Sequence, residues 1–175
     1  DTNNGLDVFL YDRLTGQNEL VSHAAAGLAV TGDQRAENPD LSAGGEFVAF
    51  QSGATNLVAG QVDTNGEADV FLYDRSTHTT TLVSHDHTAA TTTGSNGGSD
   101  TPGITADGGF VVFQSWADNL IPGLVTSPGN VNIFLFDRRT GETRMVSHVP
   151  GNPQQAGDSG GAEPVITEGG SHVAY

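Results

Sequence analysis

One long motif returns three times along the chain, and this internal repeat constrains the fold more than any other feature. The segment DVFLYDRLTGQNELVSH begins at Asp7, DVFLYDRSTHTTTLVSH begins at Asp69, and NIFLFDRRTGETRMVSH begins at Asn132. The starts are therefore separated by 62 and then by 63 residues. A nearly constant period of this length is typical of a protein built from equal structural units that stack on one another.

A second motif lies between the copies of the first and has the same period. It reads NPDLSAGGEFVAFQS from Asn38, TPGITADGGFVVFQS from Thr101 and EPVITEGGSHVAY from Glu163. Together the two motifs supply four short strand candidates in each period. In one period these candidates lie at about 101–105, 109–115, 132–137 and 143–148. No segment has helical periodicity of useful length, so the sequence predicts an all-β fold.

The third strand of each period is apolar at consecutive positions. Residues 8–11, 70–73 and 133–136 are all apolar. Because successive residues of a strand point to opposite faces of its sheet, both faces of these sheets must be covered. Sheets of four strands that stack face to face around an axis, as in a β-propeller, meet this requirement. The pattern predicts β-propeller blades of four antiparallel strands, with about three blades' worth of chain.

The two motifs resemble the TolB-like, WD40-like propeller repeats. Blades of that family begin with a Pro strand, turn through a Ser/Thr-Ala/Pro-Asp-Gly motif and continue to an aromatic-rich third strand. PDLSAGGEFVAFQS and TPGITADGGFVVFQS, each followed by a DVFLYDR-like segment and LVS or MVS, fit this order over nearly the whole chain. Gly44 stands where the Asp of the turn is usual, and Glu168 is another departure. The resemblance implies a propeller fold and a secreted or periplasmic setting.

The resemblance also implies where each blade begins and ends. The Pro strand is innermost and the LVSH strand outermost, so residues 1–175 form one propeller segment. It comprises a half-blade at 1–23, blades at 38–85 and 101–148, and a half-blade at 163–175. Known propellers have about four to eight blades, so three cannot close a ring. We expect either an excerpt of a longer propeller or half-blades that complete those of another copy, giving a six-bladed pair or a filament.

Composition excludes several classes of function. The 21 Asp and Glu residues against 6 Arg give a net charge of −15, which disfavours nucleic acid and anionic membranes as partners and favours cations. With no Cys and no Lys, the chain has no thiol nucleophile, disulfide, Cys-ligated zinc or Schiff-base lysine. It has no initiator Met and no apolar run of membrane-helix length, so we expect a mature or excised piece without membrane insertion. Its acidic composition, rich in Thr, Ser, Gly and Asn, favours an extracellular, calcium-rich setting.

An acidic loop precedes the third strand in the first two periods. In DTNGEAD, at 63–69, oxygen-bearing side chains recur every second residue, and Gly66 permits a sharp bend between them. Such a curled set of hard oxygen ligands suits Ca²⁺, which accepts six to eight of them at flexible angles. Main-chain carbonyls, water or a neighbouring loop would complete the set. The candidate ligands are Asp63, Asn65, Glu67 and Asp69, with Asp1, Asn3 and Asp7 at corresponding positions of the first period.

The third copy of this loop tests the metal hypothesis internally. It reads TSPGNVN at 126–132 and has no carboxylate. If the loop shape required a metal, this copy should fold differently from the other two. If the Asp and Asn side chains only form local hydrogen bonds to the backbone, the loop is an ordinary turn. Both interpretations are open on the sequence alone.

A second set of acids lies at the start of the innermost strands. Equivalent residues converge near the axis of a propeller, so these acids would line one mouth of the central channel and attract a cation or a basic ligand. The alternative is that they are solvated acids beside a strand. The residues are Glu37, Asp40, Asp100 and Glu163.

The histidines and the single tryptophan have less specific patterns. His23, His85 and His148 occupy one repeat position, but on outermost strands of successive blades they lie too far apart to share a zinc ion. We predict surface or inter-blade packing for them. Trp116 follows a second strand, where it either caps a blade edge or stacks on a sugar.

No residue pattern favours catalysis. GDSGG at 157–161 resembles the nucleophile sequence of serine proteases, but it lies in a Gly-rich loop without His and Asp partners placed by a barrel. We predict a non-enzymatic extracellular propeller module for assembly or binding, stabilised by Ca²⁺. The alternative is a carbohydrate- or peptide-binding propeller domain of a larger secreted hydrolase. Its ligand would bind the variable loops at 24–37, 86–100 and 149–162.

Overall fold

The computed structural model of the chain describes residues 3–93, 97–127, 129–158 and 160–175. Over these ranges the regular structure consists of sixteen strands and no helix, which confirms the all-β prediction. Consistent with this, the described ranges hold no helix of the length and apolarity needed to cross a membrane.

The described strands form two four-stranded sheets, each followed by a small two-stranded hairpin, and a two-stranded sheet at either end of the chain. The first sheet contains β1 at Phe9–Asp12 and β2 at Gln17–Leu20. The next contains β3 to β6 at Ala36–Leu41, Phe47–Ser52, Asp69–Asp74 and Thr79–Leu82. A small hairpin follows, with β7 at His85–Asp86 and β8 at Ala89–Thr93.

The second half of the chain repeats this arrangement. Strands β9 to β12 lie at Ser99–Ile104, Phe110–Ser115, Asn132–Asp137 and Glu142–Met145. Another hairpin contains β13 at His148–Val149 and β14 at Asn152–Ala156. The last sheet contains β15 at Val165–Ile166 and β16 at Val173–Ala174. The structure therefore has two full blades flanked by half-blades, which agrees with the predicted fold class.

The two full blades have the same topology and register. Each is antiparallel with its strands in sequence order, β3-β4-β5-β6 and β9-β10-β11-β12. The central pairing places Phe50 opposite Phe71 in one blade and Phe113 opposite Phe134 in the other. The rings of each pair are stacked, with centroids 5.7 and 5.8 Å apart. The repeat in the sequence is therefore a repeat of side-chain packing.

The core lies between successive sheets. Phe71 and Tyr73 of β5 are buried in a cluster with Val8 and Val21 of the first sheet. Val70 and Leu72, on the opposite face of β5, are buried in a second cluster with Phe134 and Phe136 of β11. Each such side chain contributes roughly 1.5–3 kcal/mol on burial. Both faces of β5 are covered, which is why its sequence is continuously apolar.

A backbone irregularity recurs at the innermost strands and ties the blades together. Asn38, Thr101 and Glu163 occupy equivalent positions and adopt left-handed φ values of 51°, 46° and 50°. The backbone N–H of Thr101 donates to Gln51 Oε1 of the preceding blade at 3.3 Å. The N–H of Glu163 likewise donates to Gln114 Oε1 at 3.0 Å. The glutamine of each FQS motif therefore links its blade to the next one.

Two local features differ from the sequence expectation. The fourth strand was expected to reach residue 148, but β12 ends at Met145. Its continuation leaves regular pairing because the N–H groups of Val146 and Ser147 both point to the Ile133 carbonyl, at 2.7 and 3.5 Å. The loops expected at 86–100 and 149–162 contain hairpin strands, because their Thr- and Gln-bearing segments pair back on the histidine positions His85 and His148.

Candidate functional site

The loop before β5 is curled by hydrogen bonds from its own side chains. Asp63 Oδ1 accepts the backbone N–H of Asn65 at 3.0 Å and that of Gly66 at 2.8 Å. Asn65 Oδ1 accepts the N–H of Glu67 at 2.8 Å. Gly66 has φ 68°, a left-handed value that glycine adopts without strain. These bonds give the loop its shape with protein groups alone.

Neighbouring segments hold this loop in place. Thr64 N–H donates to Thr93 Oγ1 of β8 at 3.0 Å. Asn65 Nδ2 donates to the Gly97 carbonyl at 3.1 Å, just before β9. Because Gly97 directly precedes the first strand of the next blade, the loop at 63–69 bridges the junction between two blades. A cation bound here would stiffen that junction.

Asp69 is the buried member of the candidate set. Asp69 is only 2% exposed, whereas Glu67 is exposed. Burial raises the pKa of Asp69 to about 7, the bond from Ser84 lowers it, and the negative charge of Asp63 raises it further. Within the described part of the chain, no Arg or His forms an ion pair with Asp63 or Asp69. The charge of Asp63 therefore opposes ionisation of Asp69, and a cation bound beside both residues would relieve that repulsion.

Asp69 also has a structural role that recurs in every copy. Its Oδ1 accepts a hydrogen bond from Ser84 Oγ at 3.0 Å, and Ser84 Oγ accepts the N–H of Val70 at 3.0 Å. In the first and third periods the same relay joins the serine that follows the fourth strand to the start of the third-strand segment. There the Ser Oγ to Oδ1 distances are 3.2 Å for Ser22 to Asp7 and 3.3 Å for Ser147 to Asn132.

Sequence reasoning missed these serines as site residues. The signal was present, because each serine follows its loop partner at the same separation of 15 residues. A serine repeated at constant separation from an Asp or Asn indicates a side-chain bond between two strands. Asp7, Asp69 and Asn132 are thus held by a hydroxyl whether or not they carry a charge.

The third loop replaces the carboxylate pair with a neutral hydrogen bond. Asn132 and Thr126 occupy the positions of Asp69 and Asp63. Asn132 Nδ2 donates to Thr126 Oγ1 at 3.0 Å. An amide N–H therefore bridges the two positions in the copy that has no carboxylate. In the first two copies both positions are aspartate in the sequence, so neither offers an amide N–H.

The first loop is described in part. Asp1 lies outside the described residues. Asn3 Oδ1 accepts the N–H of Gly5 at 2.6 Å, as Asn65 does in the second loop. Asn3 Nδ2 donates to the carbonyls of Gly32 and Gln34, at 2.7 and 3.1 Å, so this loop too is tied to the chain entering the next inner strand.

The donor set available to a cation is mixed. Over residues 3–93, 97–127, 129–158 and 160–175, no three His, Asp or Glu side chains are grouped so as to hold a metal ion. A cage in the second loop would therefore combine the carboxylates of Asp63 and Asp69 with the Asn65 amide oxygen, main-chain carbonyls and water. Ca²⁺ is the common ion that accepts such a set.

The acids at the inner strands take part in links within and between blades. Glu37 forms a close ion pair with Arg35 and accepts Gln51 Nε2 at 3.1 Å. Asp40 Oδ2 accepts the N–H of Ile104 in the next blade at 2.8 Å. Asp100 Oδ1 accepts Thr101 Oγ1 at 3.4 Å.

Glu163, the fourth of these acids, enters the contacts through its backbone. Its N–H donates to Gln114. Among the four acids, Asp40 links two blades through its bond from Ile104. A role of all four at the mouth of a central channel stays a prediction.

The repeated histidines pack between blades. His23 meets the ring of Tyr73 edge-on with centroids 5.6 Å apart, and His85 meets Phe136 in the same way at 6.1 Å. In each case the aromatic ring belongs to the third strand of the next blade. His23 and His85 therefore serve in separate junctions, as the packing prediction requires.

Trp116 lies beside a surface cleft between two blades. The residue is 37% exposed, and the cleft has a volume of about 410 Å³. Glu67, Asp118 and Thr126 also line this cleft. The chemistry of the cleft is an aromatic face flanked by acidic groups. Of the GDSGG segment at 157–161, Ser159 lies outside the described residues.

The fold resembles that of solved TolB proteins. The chain matches the crystal structure of TolB from Acinetobacter baumannii with a TM-score of 0.51 and 18% identity, over 96% of this chain and 31% of that one. A putative TolB from Agrobacterium tumefaciens matches with a TM-score of 0.46 and 20% identity, over 79% and 40% of the two chains. The tricorn protease matches with a TM-score of 0.44 and 12% identity, over 75% and 12%.

No protein-family model matches the chain, and no curated protein sequence matches it. The similarity to the Acinetobacter baumannii protein shows a TolB-like β-propeller fold. The chain spans about a third of the length of that protein, consistent with 31% coverage.

Proposed function

We propose that the chain is a non-enzymatic, extracellular β-propeller module that assembles by completing its blades and is stabilised by Ca²⁺ in the loops before the third strands. The blades would be completed by half-blades of other copies or by flanking blades of the same chain. The two end sheets and the loop carboxylates support this proposal through separate observations.

The exposed aromatic face of the first half-blade carries the assembly part of the proposal. Phe9 and Tyr11 of β1 are 59% and 60% exposed. Their equivalents in the second copy, Phe71 and Tyr73, are fully buried. Phe71 and Tyr73 are buried in a cluster that includes the second strand of their blade and the preceding sheet, so the equivalent face of β1 is complementary to a second strand and a preceding blade.

The contrast between the second and third loops supports the Ca²⁺ part. Burial and the neighbouring Asp63 disfavour the charged form of Asp69. In the third loop the equivalent residues, Asn132 and Thr126, carry no charge to repel each other and are joined by an N–H···O hydrogen bond. A divalent cation between Asp63 and Asp69 would supply the positive charge that an amide dipole supplies in the third copy.

Composition supports an extracellular location. A chain of net charge −15, rich in Thr, Ser, Gly and Asn, suits a setting rich in calcium. The same charge favours solubility and disfavours non-specific contact with nucleic acid.

Light scattering on the purified 175-residue chain tests the assembly part. We expect a mass of twice 18.0 kDa, because two copies of three blades each make a ring of six. Measurement over a range of protein concentrations, coupled to size-exclusion chromatography, gives the mass directly. A folded chain that stays at 18.0 kDa at every concentration would contradict self-assembly and leave only flanking blades as the complement.

A second candidate function is binding of a carbohydrate or a peptide as a domain of a larger secreted hydrolase. The cleft at Trp116 favours it, because an aromatic face with nearby carboxylates stacks on sugars and attracts basic side chains. Trp116 is the sole tryptophan, so its fluorescence reports on this cleft alone. We expect an Arg-rich peptide to shift the emission and a matched acidic peptide to leave it unchanged, while a neutral oligosaccharide separates sugar stacking from charge. No shift with any of the three would contradict this function.

A further inference from the structure

The pairing of second and third strands within each full blade provides a template for the unpaired half-blades. In the first blade, residues 47–50 lie opposite 74–71 in order, and in the second blade 110–113 lie opposite 137–134. The equivalent residues in the half-blades are 172–175 and 12–9. The template is the same in both blades, so it defines one register for a third pairing.

We propose that β16 of one copy of the chain pairs antiparallel with β1 of a second copy in this register, so that Tyr175 lies opposite Phe9. Ala174 is then opposite Leu10, and Val173 is opposite Tyr11. The inference rests on the proposed assembly and specifies its interface.

The exposure of the aromatic residues supports this register. Tyr175 is 56% exposed, although Phe50 and Phe113 at the same repeat position are fully buried. Those two rings are stacked on Phe71 and Phe134, the equivalents of Phe9. In the proposed pairing, the two exposed rings of the half-blades stack on each other as their buried counterparts do. Such aromatic pairs stabilise a contact beyond the burial of their area.

A second contact at the same junction follows from the histidine positions. His23 packs on Tyr73 and His85 packs on Phe136, each ring belonging to the third strand of the next blade. His148 is the next member of this series, and no third strand of a following blade lies within residues 160–175 to meet it. Pairing of β16 with β1 of a second copy places Tyr11 of that copy in this position. One docking event therefore completes both the strand pairing and the inter-blade ring contact.

The occupant of the β1 edge is a second copy because the chain itself carries the complementary strand. Each copy offers a donor edge at β16 and an acceptor edge at β1, which makes the contact head-to-tail. Two copies contribute four full blades and two shared ones, a six-bladed ring within the range of about four to eight blades seen in propellers. Both edges of both copies are then paired, which removes the open edges that favour aggregation.

Introduced cysteines test the register, and the absence of native Cys makes the readout unambiguous. Arg75 N–H donates to the Glu46 carbonyl, so by alternation the pair Ala49 and Leu72 is a closely spaced, non-hydrogen-bonded pair. Leu10 and Ala174 are its equivalents across the proposed interface. The double variant Leu10→Cys/Ala174→Cys should therefore form a disulfide between two copies on mild oxidation.

Two matched variants serve as controls. Asp12→Cys/Ala174→Cys displaces one partner by two residues on the same face, or roughly 7 Å, beyond the reach of a disulfide. Ala49→Cys/Leu72→Cys places the pair inside one blade, where the disulfide should form without a change in mass. On non-reducing gels, we expect the Leu10/Ala174 variant to give roughly tenfold more linked dimer than the Asp12/Ala174 variant.

The outcomes separate this inference from the proposed function. Equal linkage of the two variants, with a dimer still seen by light scattering, would overturn the register while assembly stands. A monomer in light scattering with no linkage would overturn both. A ladder of linked species would overturn the closed pair of copies. A linked dimer for Leu10/Ala174 alone, at the mass of two chains, is the result that supports the interface.

Discussion

Phe71→Ala is expected to lower the free energy of unfolding by about 3–5 kcal/mol. The side chain is fully buried, stacks on Phe50 and packs against Val8 and Val21 of the neighbouring sheet. Its removal leaves a cavity at the contact between two sheets, where the surrounding strands cannot collapse without losing their register. Urea denaturation followed by circular dichroism measures the change, with an unaltered slope indicating that the folded state is otherwise intact.

Phe9→Ala is the matched control for this substitution, because Phe9 occupies the same repeat position on β1. Its side chain is largely exposed within one copy, so we expect the stability of the isolated copy to change by less than about 1 kcal/mol. The same variant should lose the dimer in light scattering, because the ring is buried only by a partner. If Phe9→Ala leaves the dimer intact and lowers the free energy of unfolding as much as Phe71→Ala, the contrast between β1 of the half-blade and β5 of the full blade is wrong.

Calcium is expected to raise the midpoint of thermal unfolding, and a chelator should remove the increase. An ion that binds only the folded chain stabilises it by about 2.7 kcal/mol at a concentration 100 times its dissociation constant. For a chain of this size, this corresponds to roughly 5–11 °C in the midpoint. Differential scanning calorimetry with added Ca²⁺ and with EDTA measures the difference. A midpoint that is the same in both would contradict the metal hypothesis.

The third loop supplies the control variant for calcium. Asp63→Thr/Asp69→Asn gives the second loop the Thr126 and Asn132 pair of the third, with its neutral hydrogen bond. The Ser84 relay should persist, since Asn132 accepts from Ser147 in the same way. We expect this variant to fold and to lose the part of the calcium effect that the second loop provides. A full calcium effect in this variant would place the ion elsewhere.

The calcium effect should also depend on pH through Asp69. Burial raises the pKa of Asp69 from 3.8 to about 7, with the charge of Asp63 adding to the shift. Between these values the folded chain holds a proton that the unfolded chain has released, so metal-free stability falls as the pH rises from about 4 to about 7. A Ca²⁺ ion ligated by Asp69 would displace that proton. The calcium-dependent increase should therefore be small at pH 5 and larger at pH 8, and equal increases at the two pH values would exclude Asp69 as a ligand.

Much of the fold was predictable because it depends on local pattern. The consecutive apolar residues at 70–73 require burial on two faces, and the repeat period requires equal units; together they lead to stacked four-stranded blades. The packing role of His23 and His85 was also predictable, since their strand position separates them. The hairpin strands at 89–93 and 152–156 were not predicted, because their segments have weak strand patterns and pair only where a neighbouring loop holds them.

The candidate site was predictable only as a set of ligand types. Spacing predicted Asp63, Asn65, Glu67 and Asp69 as candidate oxygen ligands at the bend of a loop. Their environments could not be predicted, because burial and side-chain partners depend on the neighbouring strand and the next blade. Ser84, which holds Asp69, is 15 residues away in sequence and was overlooked for that reason.

The sequence by itself determined the strand order, the blade period and the residues that each blade must bury, because these follow from apolar alternation and turn chemistry along a continuous stretch of chain. Only the tertiary structure decided which equivalent residues are buried and which are open. Phe71 and Phe9 have the same local sequence, yet Phe71 is enclosed by its own blade and the preceding sheet, while Phe9 faces solvent. Neighbours that are distant in sequence set this difference in exposure. A repeat pattern does not indicate whether those neighbours are present.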